Sequence, residues 1–337
     1  MVRVLIAGLI AMVIAIVIGP KFIGFLRRNE IGQHIREEGP AGHVVKQGTP
    51  VMGGLLILLC ALVPFLVLSS YTLPALTVLF VTVGCGAIGF LDDFIKVRHR
   101  RSLGLSGRYK LALLVVITAV VGFAVDAQDR IGTSIYIPIA DVDLPLSYAF
   151  YPFLFLVIAG AANGVNLTDG LDGLAAGTTI IALMTFLSIN TIAYIRSGPV
   201  TERAEFQLDL SILAAALIGG TIGFLWYNSF PAEVFMGDTG SMALGGALAG
   251  FAIVTGTEAL LLLIGGIFVV NALSVMIQVI SFKYTGKRVF LMAPLQHHFE
   301  MKAWSETKIM VRFWIVAAIL CACGFVLYYR YYLQFRQ

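Results

Sequence analysis

The chain has 337 residues, 59% of them hydrophobic and only 12% charged, with a formal net charge of +4. Soluble domains carry about 25% charged residues, so a soluble globular fold, or one tethered by a single anchor, is excluded and an all-α polytopic membrane protein is expected. The positive surplus calls for no nucleic acid, because basic loops on one side of a bilayer account for it.

Apolar runs recur near residues 4–25, 51–69, 73–91, 111–125, 150–163, 173–195, 208–226, 240–256, 259–281 and 311–329. A full span needs about 20 residues, and Gly or Pro inside such runs does not argue against spanning helices. About ten transmembrane helices are therefore predicted, in one domain over 1–337. Met1-Val2-Arg3 leads into a run too long for a signal h-region, so it is expected to open the first span. Cys60, Cys85, Cys321 and Cys323 all lie in apolar runs and are expected to be small hydrophobes, not zinc ligands or disulfides. Between the fourth and fifth runs, Thr133 to Leu144 alternates around Ile135, Ile137 and Ile139, which predicts a small β-hairpin.

Fifteen of the 23 Lys and Arg fall in loops after odd-numbered runs, and six on the opposite side. The bias predicts N and C termini outside, those loops in the cytoplasm and the hairpin external. Every loop rich in unusual polar residues then lies on the cytoplasmic side.

The first such loop ends Lys46-Gln47-Gly48-Thr49-Pro50-Val51-Met52-Gly53-Gly54. Glycines let backbone approach a ligand, and a neighbouring Lys suits a phosphate or a base. A plain turn into the second span is the simpler alternative. The second loop starts at Leu91-Asp92-Asp93-Phe94 and continues through Lys96, Arg98, Arg100, Arg101, Arg108 and Lys110. Carboxylates at a membrane edge are expensive and usually functional. Beside a cation cluster they suggest Mg²⁺-assisted chemistry of phosphates, against the alternative of a solvated helix end.

Asn163, Asn166, Asp169 and Asp172 recur every three residues in the third loop, so several hydrogen-bonding groups converge between two apolar runs. Helix capping covers one or two of these, not four. The fourth loop carries Asn228, Phe235 and Gly237-Asp238-Thr239-Gly240-Ser241 just before a new span. There a helix N-terminus and Ser241 suit phosphate, Asp238 a cation and Phe235 a base, unless Asp238 is only a cap. The fifth loop holds Pro294-Leu295-Gln296-His297-His298-Phe299-Glu300. Paired imidazoles suit phosphate contact or proton transfer. Zinc is disfavoured, since His34, His43 and His99 are the only other histidines.

These five boxes, in this order and across essentially the whole chain, resemble the polyprenyl-phosphate N-acetylhexosamine-1-phosphate transferases. The resemblance implies a ten-helix fold, a homodimer among membrane lipids, Mg²⁺ dependence and a cytoplasmic cleft. It also implies transfer of the sugar phosphate of UDP-MurNAc-pentapeptide to undecaprenyl phosphate, giving lipid I and UMP in peptidoglycan synthesis. By the same resemblance Asp238 is the metal ligand, with Asp92 or Asp93 nearby, and one of that pair deprotonates or orients the lipid phosphate. His297 and His298 join these three acids as catalytic candidates. Lys46, Asn163, Asn166, Asp169, Asp172, Asn228, Phe235 and Ser241 are substrate-binding candidates, and Lys96 and Lys110 are expected to receive phosphate. The family pattern has a third histidine where this chain has Gln296, so that position is expected to tolerate change better than His298. Two rivals are transfer of N-acetylglucosamine-1-phosphate to the same lipid, and lipid-linked transport with no bond made. The Gln296 to Glu300 box disfavours the first, and polar residues gathered at one face, not at midplane, disfavour the second.

Overall fold

The computed structural model describes residues 1–32, 48–101, 103–128, 132–199 and 203–332, so Lys46 lies outside the described residues. The chain folds into α1 (Val2–Arg28), α2 (Gly54–Leu68), α3 (Leu73–Arg98), α4 (Gly107–Asp126), a hairpin of β1 (Ser134–Ile137) and β2 (Val142–Pro145), α5 (Phe150–Thr168) and α6 (Leu174–Arg196). It continues through α7 (Glu205–Asn228), α8 (Gly237–Thr255), α9 (Glu258–Ile264), α10 (Gly266–Thr285), α11 (Leu295–Glu300) and α12 (Glu306–Leu327). Among the described residues, eight helices are long and apolar enough to cross a membrane. The 15-residue α2 and the glycine-diluted α8 pack among them. The protein is an all-α polytopic membrane protein whose strands form an antiparallel pair, with Ile135 opposite Leu144 and Ile137 opposite Val142.

At the centre stand α7 and α8. α7 is apolar on all sides and most of it is buried, as expected of a helix enclosed by other helices. Between helices in lipid the hydrophobic effect gives little, and close packing of small residues replaces it. On α1, Ala7, Ala11, Ala15 and Gly19 recur every fourth position and are buried. They face α7, where a Cβ on Gly219 would lie 2.0 Å from the Gly8 carbonyl oxygen and one on Gly223 2.5 Å from Ala15 Cβ. Far from the polar boxes, buried Asp209 of α7 accepts the Ser70 N–H (2.8 Å), the Thr72 N–H (2.9 Å) and the Thr72 hydroxyl (2.9 Å). It thereby caps α3 from outside its own segment.

Two expectations from the sequence shift. The ninth run is two helices, because the chain breaks at Gly265 between α9 and α10. Gly266 then packs so tightly on α12 that a Cβ would lie 2.7 Å from Leu320 Cδ1. Asn163 and Asn166 are not in a loop: α5 runs on to Thr168, and Asp169 is its C-cap.

Candidate active site

The polar boxes meet at one end of the bundle, where α3, α5 and α7 finish and α4, α6, α8 and α12 begin. Glycines set the meeting. A Cβ on Gly89 of α3 would lie 2.0 Å from the Asp238 backbone oxygen, and one on Gly54 of α2 2.1 Å from Gly240 N. Only glycine allows backbones this close, and the approach brings the start of α8 onto the end of α3.

Asp92 and Asp93 are both buried in the last turns of α3, and adjacent helical residues point about 100° apart. Asp93 turns to the N-terminus of α8. Its Oδ1 accepts the Asp238 N–H (3.1 Å), and its Oδ2 the Thr239 N–H (2.9 Å) and the Thr239 hydroxyl (2.7 Å). A carboxylate here satisfies orphan N–H groups and complements the positive end of the helix. Asp92 turns the other way. Its Oδ1 accepts the Leu105 N–H at 2.7 Å, and Gly104 folds over it so closely that a Cβ would lie 2.4 Å from that oxygen.

Two lysines bridge Asp92 to Asp238. Lys96 Nζ lies 2.6 Å from Asp92 Oδ2 and 3.1 Å from Asp238 Oδ1, while Lys110 Nζ lies 3.0 Å from Asp92 Oδ1 and 2.7 Å from Asp238 Oδ2. The acid and cation candidates therefore form one cluster. One oxygen each from Asp92, Asp93 and Asp238 lie within 4.8 Å of one another. Asp92 Oδ2 is buried and accepts no well-directed hydrogen bond, although the Lys96 ammonium is near. An all-oxygen donor set, with Asp92 Oδ2 held only by the Lys96 ammonium, fits a hard divalent cation such as Mg²⁺. It lacks the His or Cys ligands usual for zinc.

Around the cluster the third and fifth loops close in. Asp169 is half-buried at the end of α5. Burial pushes its carboxyl well above the usual range; the charges of Asp238, Asp93 and Asp172 push the same way, and the Gly237 N–H opposes them. Asp172 Oδ2 accepts the Ala232 N–H at 3.0 Å. Asn228 Oδ1 accepts the Gly173 N–H (3.1 Å) and its Nδ2 donates to the Val234 carbonyl (2.9 Å), clipping the α5–α6 turn to the loop before α8. Asn163 Nδ2 and the Ser241 hydroxyl donate to carbonyls of their own helices, Ala159 and Gly237. Asn166 is half-buried in the last turn of α5. Phe235, also half-buried, pairs its backbone with Pro50 and Gly53.

On α11, Gln296 is fully buried and donates to the Leu167 carbonyl at 2.8 Å. His297 Nδ1 contacts the Glu300 carboxylate, and a Cβ on Gly170 would lie 2.8 Å from His297 Nε2. The ring thus rests on the turn that carries Asp169. His298 points elsewhere, with Nδ1 accepting the Leu291 N–H at 3.1 Å and its ring edge-on to Phe290 and Phe299. Thr239, Gly104 and Glu300 were not among the sequence candidates. Glu300 is legible in hindsight as the acid three residues after His297, a helical neighbour. Thr239 and Gly104 have no local signal.

Residues 75–256 match the model of glycosyl transferase family 4. The chain is 45% identical over 328 residues to a phospho-N-acetylmuramoyl-pentapeptide-transferase of Desulfitobacterium hafniense, covering 97% of this chain and 98% of that one. Proteins of the same name are 46% identical in Halalkalibacterium halodurans, over 94% of this chain and 95% of that one, and in Geobacillus thermodenitrificans, over 95% and 96%.

Proposed function

The chain belongs to glycosyl transferase family 4 and, within it, to the phospho-N-acetylmuramoyl-pentapeptide-transferases, and on that premise we propose its reaction. It transfers phospho-MurNAc-pentapeptide from UDP-MurNAc-pentapeptide to undecaprenyl phosphate, giving lipid I and UMP. The setting is the cytoplasmic face of a bacterial plasma membrane, an orientation supported by the Lys and Arg bias. The observation that carries the reading is the Asp92–Asp238 pair bridged by Lys96 and Lys110 at one end of an apolar bundle.

A phosphate oxygen of the lipid attacks the β-phosphorus of the nucleotide sugar. The bond from that phosphorus to the bridging oxygen breaks, and UMP leaves with the electron pair. Both reactants are anions, so the protein has to supply alignment and positive charge. Mg²⁺ held by Asp92 and Asp238, with Asp93 beside them, would neutralise the diphosphate and ease the departure of UMP. Lys96 and Lys110 offer ammonium groups to the phosphates, and the nearby arginines from Arg98 to Arg108 steer them in. The lipid phosphate is largely ionised near pH 7, so the carboxylates orient it and need not deprotonate it. Asp93 keeps the start of α8 in place. His297, held by Glu300, faces the Asp169 turn, and Asn166, Asp169, Phe235 and Lys46 are left for the uridine side. A homodimer is expected, as the family resemblance implies.

Release of UMP by the purified protein, given UDP-MurNAc-pentapeptide, undecaprenyl phosphate and Mg²⁺, tests the proposal. Release from UDP-N-acetylglucosamine instead would move the chain to the sibling reaction, and release from neither would refute transfer.

A further inference from the structure

Lys96 occupies the position that a metal would need. Its Nζ lies 2.6 Å from Asp92 Oδ2, 3.1 Å from Asp238 Oδ1 and 3.9 Å from Asp93 Oδ1. It thus reaches an oxygen of each carboxylate in the trio able to gather round a cation. A hard divalent cation sits about 2.0–2.6 Å from each oxygen that holds it. A cation bridging Asp92 Oδ2 and Asp238 Oδ1 would therefore collide with the ammonium. Two bare cations in contact beside buried carboxylates also repel strongly.

Lys110 is placed differently. It spans the other two oxygens, Asp92 Oδ1 (3.0 Å) and Asp238 Oδ2 (2.7 Å). It is also more enclosed, with its side chain 20% exposed against 31% for Lys96. Lys96 rides on the last turn of α3 on a flexible four-carbon stem, and its partial exposure gives it a way out toward solvent.

We propose that Lys96 is a built-in substitute for the divalent cation: its ammonium holds the three carboxylates together in the metal-free protein, is displaced when metal binds, and then presents its charge to the arriving diphosphate. Lys110 stays in place throughout. Without metal, three carboxylates and two ammonium groups nearly balance, so the cluster keeps its shape. Once metal enters, the freed lysine gives the site a mobile cation at its open rim. Only this last step rests on the proposed transferase reaction; the exchange itself does not.

Two measurements test the exchange without relying on turnover. In the wild-type protein in lipid nanodiscs, an amine-acetylating reagent is applied with and without Mg²⁺ and no nucleotide, and peptides are quantified by mass spectrometry. Mg²⁺ is expected to raise modification of Lys96 several-fold and to leave Lys110 within about twofold. Separately, Mn²⁺ binding is followed by electron paramagnetic resonance. Lys96→Met is expected to tighten binding on the order of tenfold, because a competing unit charge within contact distance is removed, and Lys110→Met to tighten it less. Unchanged Lys96 modification at saturating metal, or weaker Mn²⁺ binding in Lys96→Met, overturns the proposal. UMP release assayed in parallel reports on the reaction alone: its absence beside a metal-dependent Lys96 response would refute the reaction and leave the exchange standing.

Discussion

Asp93→Asn separates a helix cap from a metal ligand. Asp93 uses both carboxylate oxygens on the start of α8, accepting two N–H groups and a hydroxyl at 2.7 to 3.1 Å. Asparagine keeps one acceptor oxygen. If that oxygen serves the two Thr239 donors, the new NH₂ group faces the Asp238 N–H, and one bond to a buried charged acceptor is lost. Such bonds contribute about 1.5–3 kcal/mol, and the anion at a helix N-terminus about 0.3–1 kcal/mol more. The expected loss is about 2–4 kcal/mol, or on the order of 5 °C in Tm for a chain of this size. Asp92→Asn should cost less than half of that: a carbonyl oxygen still accepts the Leu105 N–H, and the weakened pairing with Lys96 and Lys110 is offset because two carboxylates are left against two ammonium groups. Thermal unfolding by intrinsic fluorescence, paired with Mn²⁺ binding, distinguishes the roles: Asp93→Asn falls mainly in Tm, Asp92→Asn mainly in metal affinity. If Asp93→Asn unfolds within about 1 °C of wild type and loses metal affinity as fully as Asp92→Asn, the cap assignment is wrong and Asp93 is a ligand.

Gly89→Ala puts a methyl where the nearest atom, the Asp238 oxygen, is 2.0 Å away. α3 and α8 must separate by about 1 Å, and the initial rate of UMP release should fall on the order of 10²-fold. Gly107→Ala, with open space at that position, should match wild type; equal rates in both variants would refute the close-approach argument. Gln296→Ala leaves the half-buried Leu167 carbonyl without its partner and should lower stability by about 1–3 kcal/mol. His298→Ala, judged by the same unfolding assay, should destabilise less, so burial reverses the tolerance expected from sequence; a smaller Tm loss for Gln296→Ala would restore it. For orientation, a membrane-impermeant thiol reagent on intact cells should label Tyr148→Cys, beside the hairpin, and spare Arg100→Cys, and the opposite pattern would invert the topology.

Composition and hydropathy were enough to determine a polytopic helical protein, its ten apolar runs and the hairpin around Ile135, because lipid demands long apolar segments with internally paired backbone. The five polar boxes were equally legible, since carboxylates and imidazoles are conspicuous among apolar residues. What no local pattern could assign is the division of labour inside the Asp92–Asp93 pair. The two side chains are chemically identical, and their roles come from partners elsewhere along the chain: Asp238 and Thr239 for Asp93, and for Asp92 Leu105 and Lys110, the second of which ties it to Asp238. The same holds for Gln296, which hydropathy assigns to a surface loop and which packing buries against Leu167. Gly89 likewise shows its purpose only once α8 is laid against it. Hydropathy is a property of neighbouring residues, whereas a hydrogen bond or a backbone contact across 140 residues of chain exists only after the helices have packed.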